Sequence, residues 1–267
     1  MSAAVVHLHR EGGLATITLD SPANRNALSR RLRTELAARL TKALTDPGTR
    51  VIVLTHTGPV FCAGADLTEA GTPDLPGTPN GPGPPDLPAL LTTLARSPAP
   101  VVARLAGTAR GGGVGLAAAC DLVVAAQTVT FAFPEVRLGV VPAVISAPLR
   151  RRVAPHALQQ LFLTGEPFGA ARAREIGLVD AAPPPQLLDT EVRRYVALLL
   201  RGAPGALAAT KALLRDPPGG DLAAELAELG RVSREHFASA EGREGVRARA
   251  EGRDPAWVQV LPGADVT

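Results

Sequence analysis

The chain has 267 residues, 46% of them hydrophobic and 20% charged, with a net charge of +3. That is enough apolar sequence for one large core without disulfide or metal staples. Aromatic residues make up 3%, so the core must be Ala, Val and Leu. No cluster of basic and aromatic residues suggests nucleic-acid binding, and no apolar run reaches bilayer-spanning length.

Val5–Arg10 and Leu14–Leu19 flank Glu11-Gly12-Gly13 and read as a β-hairpin. Ser29 then N-caps a helix with leucines at 32, 36, 40 and 44, and Asp46-Pro47-Gly48 ends it. Val51–Thr57 is a buried strand leading into a glycine turn. Gly71–Pro88 is rich in Pro and Gly without an apolar period, and its place after that turn suggests a flap or entrance. Leu87–Arg96 reads as a short helix and Val101–Leu105 as a second strand. Gly111–Ala119 reads as a turn running into a helix, followed by short strands at Leu122–Ala126 and Val129–Phe133. From Pro142 the pattern is mostly helical, with breaks at Gly165, Gly177, Pro183–Pro185, Gly202–Pro204 and Pro217–Gly220. The alternation predicts an α/β core over residues 1–198 and a helical region over 199–267.

Two segments carry chemistry. Phe61-Cys-Ala-Gly-Ala-Asp-Leu67 and Gly111-Gly-Gly113 are glycine-rich turns, each following an apolar strand. Two such turns can aim one backbone N–H each at a single point. A paired N–H site binds a carbonyl oxygen more tightly as that oxygen gains negative charge, and losing one donor typically costs about 3–4 kcal/mol of transition-state stabilisation.

At these residues the chain resembles the crotonase superfamily of enoyl-CoA hydratases and isomerases. The likeness is carried by Arg25-Asn-Ala-Leu28, Phe61–Leu67, Gly107–Val124, and Phe133-Pro-Glu-Val-Arg-Leu-Gly139 with Val141-Pro142, and continues more weakly through Thr164-Gly165, Ala171–Val179 and Thr210-Lys211. It implies a spiral of ββα repeats with a helical C-terminal region that forms a homotrimer or a dimer of trimers. It implies an acyl-CoA thioester as substrate, with no metal and no cofactor beyond the CoA that the substrate carries. The N–H groups of Ala65 and Gly112 would hold the thioester carbonyl. Ala63, Ala65, Asp66 and Leu67 would line the adenine pocket, and Arg25 and Ala27 would lie along the CoA tail, with Arg25 meeting a phosphate. Gly111 and Pro134 would border the substrate, and Glu135 would exchange the proton.

The family's hydratases usually use two glutamates. Glu135 matches the later one, on the Pro-Glu strand, whereas the earlier position holds Gly115. Three readings follow: Glu135 alone hydrates a 2-enoyl-CoA, Glu135 moves a proton between carbons as a 3-enoyl to 2-enoyl-CoA isomerase, or another group fills the gap. The run from Glu135 to Ser146 resembles hydratases of branched glutaconyl-type thioesters, which favours hydration. A catalytically idle CoA-binding or RNA-associated relative is the rival of a different class.

Simpler roles stand beside these. Phe131, Phe133, Val136 and Leu138 give Glu135 an apolar setting that would raise its pKa. Asp66 either binds adenine or caps the next helix. Asp121 and Cys62 read as structural, and Arg150–Arg152 as a solvated helix face. His7 and His9 read as a polar strand face, and the other histidines are scattered. Cys62 and Cys120 lie on separate apolar segments, which predicts reduced thiols and a cytoplasmic enzyme.

Overall fold

The hairpin pairs β1 (Val6–Glu11) with β2 (Leu14–Leu19), in register from Val6 opposite Leu19 to Glu11 opposite Leu14. A computed structural model describes residues 3–69, 85–216, 219 and 221–261, so residues 71–84 of the expected flap lie outside the described residues. The helix α1 (Arg30–Leu44) starts where the Ser29 hydroxyl accepts from the Leu32 N–H at 3.3 Å. Its stripe buries Leu32, Leu36 and Leu40 completely, because residues four apart share one face.

The next three segments repeat one plan. β3 (Val51–His56), β4 (Val60–Cys62) and α2 (Leu87–Arg96) form the first unit. β5 (Val101–Leu105), β6 (Thr108–Arg110) and α3 (Gly112–Ala118) form the second. β7 (Leu122–Ala125), β8 (Thr130–Ala132) and α4 (Ala143–Leu149) form the third. The first strand of each unit enters one sheet, ordered β1-β2-β3-β5-β7, and the second enters another. The second sheet runs β4-β6-β8-β9, closed by the short antiparallel strand β9 (Phe168–Gly169). The chain therefore winds as the expected spiral of ββα units. Every residue of β3 is buried, as a parallel strand between two neighbours requires. Its last residue, His56, accepts from the Ala106 N–H through Nε2 at 3.0 Å, leaving Nδ1–H to meet the Thr57 carbonyl at 3.2 Å. Burial lowers its pKa, and its ring stands edge-on to Phe61 at 5.6 Å. The histidine joins the ends of β3 and β5 where the chain crosses between sheets.

Below the spiral lie α5 (Pro155–Thr164), α6 (Ala170–Glu175) and α7 (Leu188–Leu200). Residues 198 and 199, the expected boundary, fall inside α7, and the first break comes at Gly202, ahead of α8 (Pro204–Arg215). Beyond it come α9 (Leu222–Ala238) and α10 (Ala240–Glu251). The Glu241 carboxylate of α10 accepts from the N–H groups of Gly205 and Ala206 at 2.9 and 3.1 Å, capping α8. Arg50 donates to the carbonyls of Trp257 and Gly202 at 2.8 and 2.7 Å, tying the tail to the start of β3. No single helix among the described residues is long and apolar enough to cross a membrane.

Helix α8 docks on the spiral through Lys211. Its ammonium reaches Asp121 Oδ2 at 2.6 Å and the Ala99 carbonyl at 3.0 Å, while Asp121 also accepts from the Val101 N–H at 2.7 Å. Asp121 is thus a tie between α3, β5 and α8, in keeping with its structural reading. Replacing Lys211 by Met leaves a half-buried carboxylate with one fewer partner. Lys211→Met is expected to lower stability by about 1–3 kcal/mol, between the usual values for exposed and buried pairs, measured by urea unfolding.

Candidate active site

The two glycine turns meet. Gly64 adopts φ +87°, and a Cβ built on it would stand 2.9 Å from the Arg110 carbonyl oxygen and 3.3 Å from the Gly112 nitrogen. A Cβ on Gly113 would stand 2.4 Å from the Cys62 carbonyl oxygen. Side chains at these positions would push the turns apart, which is why glycine is required there. Gly111 turns the chain at φ 47° and caps α3, so Gly112 N–H lies in the first helical turn, where an amide has no intrahelical acceptor. Among the described residues, nothing accepts a hydrogen bond from the N–H of Ala65 or of Gly112. The side chains of Leu28 and Leu87 flank Gly112.

A loop of residues 21–28 braces the first turn. The Ala63 N–H donates to the Arg25 carbonyl at 3.0 Å, and the Leu28 N–H to the Gly64 carbonyl at 2.8 Å. Of the stretch expected to line the adenine pocket, Ala63 therefore has its N–H engaged internally. Ala27 is buried, and Arg25 is exposed at φ 58°. Between them Asn26, fully buried at φ 52°, accepts from the Ser21 N–H at 2.7 Å and donates to the carbonyls of Thr57 and Val60 at 3.1 and 2.8 Å. Asn26 holds the loop against the strand crossing. Its role was not legible in the sequence; the one signal is an Asn in a tight loop, where a positive φ is tolerated best by Asn and Gly.

Glu135 lies on a 3-10 turn, Pro134–Leu138, rather than on the expected strand. β8 ends at Ala132, because Pro134 has no N–H to continue a ladder. The turn is anchored by Phe133, whose ring packs on Phe162 and Phe168 at 4.8 and 5.8 Å. Glu135 Oε1 would be 2.6 Å from a Cβ on Gly111, so the carboxyl lies against the second glycine turn. Its Oε2 is buried without a hydrogen-bond partner among the described residues. Burial pushes the Glu135 pKa up, offset in part by its own backbone N–H. Of the four apolar neighbours expected, Phe131 and Phe133 are buried, while Val136 and Leu138 face outward.

At Gly115 the space for a side chain is already filled. A Cβ there would stand 2.5 Å from Ile145 Cγ2. The gap left by the missing acid is closed by an aliphatic side chain from α4.

The remaining candidates sort simply. The Asp66 carboxylate accepts from the N–H and hydroxyl of Thr68 at 3.0 and 2.7 Å, capping the turn Leu67–Glu69; Leu67 itself is exposed. Cys62 and Cys120 are unpaired and buried, and burial pushes both thiols up to about 12, as inert fillers. Arg152 departs from the expected solvated face. It is largely buried, donating to the carbonyls of Leu178, Cys120 and Asp121 and pairing with Asp180. His7 pairs with Asp20.

Residues 9–260 match the sequence profile described as enoyl-CoA hydratase/isomerase. The 2,3-dehydroadipyl-CoA hydratase of Escherichia coli is 33% identical over 247 residues, covering 92% of this chain and 95% of that one. The structure of Pseudomonas aeruginosa AtuE superposes with a TM-score of 0.85 at 33% identity over 96% of this chain and 100% of that one. An enoyl-CoA hydratase from Mycobacterium smegmatis gives 0.85 at 29% identity, covering 96% and 99%.

Asn26→Ala would strip partners from three backbone groups and place a Cβ residue at positive φ without side-chain support. It is expected to lower stability by about 3 kcal/mol or more, since each orphaned buried group costs roughly 1–3 kcal/mol, read as a fall in the urea midpoint.

Proposed function

The chain belongs to the enoyl-CoA hydratase/isomerase family, and from that premise we propose that it is an enoyl-CoA hydratase, adding water across the 2,3 double bond of an acyl-CoA thioester. The observation that carries the reading is a pair of unengaged amides on adjoining turns with one half-buried carboxyl beside them. The thioester oxygen sits between the N–H groups of Ala65 and Gly112. The Glu135 carboxylate takes a proton from water as the water oxygen bonds to Cβ. The π pair of the double bond moves toward the carbonyl, and the amides hold the enolate oxygen that forms. Glu135 then gives its proton to Cα, so both halves of one water end on the substrate. The reading calls for no metal or redox cofactor.

An isomerase reading would use the same carboxyl to move a proton between carbons of a 3-enoyl thioester. The relatives named as hydratases favour hydration. Arg25 and Ala27 lie along the CoA tail, and Ala65, Asp66 and Leu67 border the adenine, with Gly111 and Pro134 beside the acyl group. Exposed Leu222, Leu226 and Phe237 on α9 support assembly as a homotrimer or a dimer of trimers. Unpaired cysteines support a cytoplasmic setting.

The test is loss of the enoyl-thioester absorbance when the protein meets a 2-enoyl-CoA; an unchanged absorbance at high protein concentration overturns the reading. Glu135→Gln is expected to lower kcat by about 10²–10⁴-fold, the usual range for one positioned acid–base group, with acyl-CoA binding retained. Because the ionised carboxylate takes the proton and its pKa is raised, activity should fall on acidification at a higher pH than an ordinary glutamate would give. Arg25→Gly keeps the left-handed backbone (φ 58°) and removes the guanidinium. It is expected to raise KM about tenfold or more with kcat unchanged, in line with the roughly 1.5–3 kcal/mol of a charge-assisted hydrogen bond.

A further inference from the structure

Gly115 lies four residues after Gly111, the N-cap of α3, and its N–H donates to the Gly111 carbonyl at 3.1 Å. The atoms that would meet a Cβ at these two positions are Glu135 Oε1 at 2.6 Å and Ile145 Cγ2 at 2.5 Å. Glu135 and Ile145 therefore lie against two glycines joined by one backbone hydrogen bond. Ile145 is 3% exposed and reaches Gly115 from α4 only because that residue has no side chain.

Among the described residues, burial and not a neighbouring charge leads the pKa shift of Glu135. Helices α3 and α4 carry no titratable residue. Arg110 on β6 turns to the carbonyls of Ala109 and Thr130 and the Thr130 hydroxyl. Arg137, in the same turn as Glu135, donates to the Thr164 carbonyl. His156, the titratable residue of α5, is exposed in its first turn, and Arg96 stands at the far end of α2. Among the described residues, what remains is exclusion of water, and two buried side chains are placed to contribute to it: Phe133, two residues before Glu135, and Ile145, against Gly115.

We propose that Ile145 is a positioning residue for Glu135: seated against the bare backbone of Gly115, its side chain closes one side of the carboxyl group to water. The inference rests on the reading of Glu135 as the proton-transferring group. With Gly115 in place of the second acid, that one carboxyl must both accept and return a proton. A carboxyl kept from water is a stronger base and is better matched to both steps near neutral pH. The apolar residue in the earlier position thus serves the acid in the later one. The upward pKa of Glu135, with burial as its first cause, agrees with this.

The test reads the carboxyl directly. Carbon-13 NMR titration of the glutamate carboxyls, with Glu135→Gln assigning the resonance, should give a wild-type midpoint above the ordinary glutamate range. Ile145→Ala should move that midpoint down, and the acid limb of kcat/KM with it. An unchanged midpoint in folded Ile145→Ala overturns the proposal. Should that variant not fold, Ile145→Val and Ile145→Thr, equal in shape and different in polarity, decide it: Thr should titrate below Val, and equal midpoints overturn the proposal. The titration needs no turnover, so inactivity toward enoyl-CoA would overturn the hydratase reading without altering this result.

Discussion

The site depends on one backbone contact, the approach of the Cys62–Gly64 segment to the Arg110–Gly113 segment. Gly113 lies over the Cys62 carbonyl, and Gly64 lies over the Arg110 carbonyl and the Gly112 nitrogen. The segments can come this near only because Gly64 and Gly113 have no Cβ at the points of contact. The parallel pairing of β4 with β6 delivers them side by side, from Val60 opposite Thr108 to Cys62 opposite Ala109. The loop through Arg25 and Leu28 then fixes the first turn from the other side. On the proposed reading, these contacts place the amides of Ala65 and Gly112 before any ligand arrives, and such preorganisation is what makes paired N–H groups effective toward a developing oxyanion.

Around that contact the fold distributes polarity with economy. The ion pairs that tie elements together, such as Asp121 with Lys211 and Arg152 with Asp180, lie where α3 and β7 meet the later helices. Glu135 differs from them. One of its oxygens is buried without a partner among the described residues, and burial rather than a neighbouring charge leads its pKa shift. An acid left in this state is poorly placed for stability and well placed for proton exchange.

Gly115 gives the departure from the two-glutamate pattern a physical form. The earlier acid is absent, and its space is packed by Ile145, so an additional side chain there would have to displace a buried methyl group from a closely packed helix interface. On the proposed reading, the single-carboxyl arrangement is consequently built into the α3–α4 contact and is more than a matter of one missing side chain.

Much of this was legible in the chain. The leucine stripe of α1, the Ser29 cap and the buried run of β3 follow from local periodicity and hydrogen-bonding chemistry, which neighbouring residues decide among themselves. The two glycine turns were legible as candidate amide donors for the same reason. The resemblance puts Glu135 on a strand, whereas Pro134 stops the ladder and turns the acid toward Gly111. Asn26 and Arg152 were missed because their partners, from Ser21 and Thr57 to Leu178 and Asp180, include groups about 25 to 35 residues away. By itself the sequence determined which segments could form strands, helices and donor turns, since those depend on contacts within a few residues. Only the tertiary structure decided that the turns touch, that one acid faces them and that Ile145 stands in for the other, because each of these is a steric relation between residues distant along the chain.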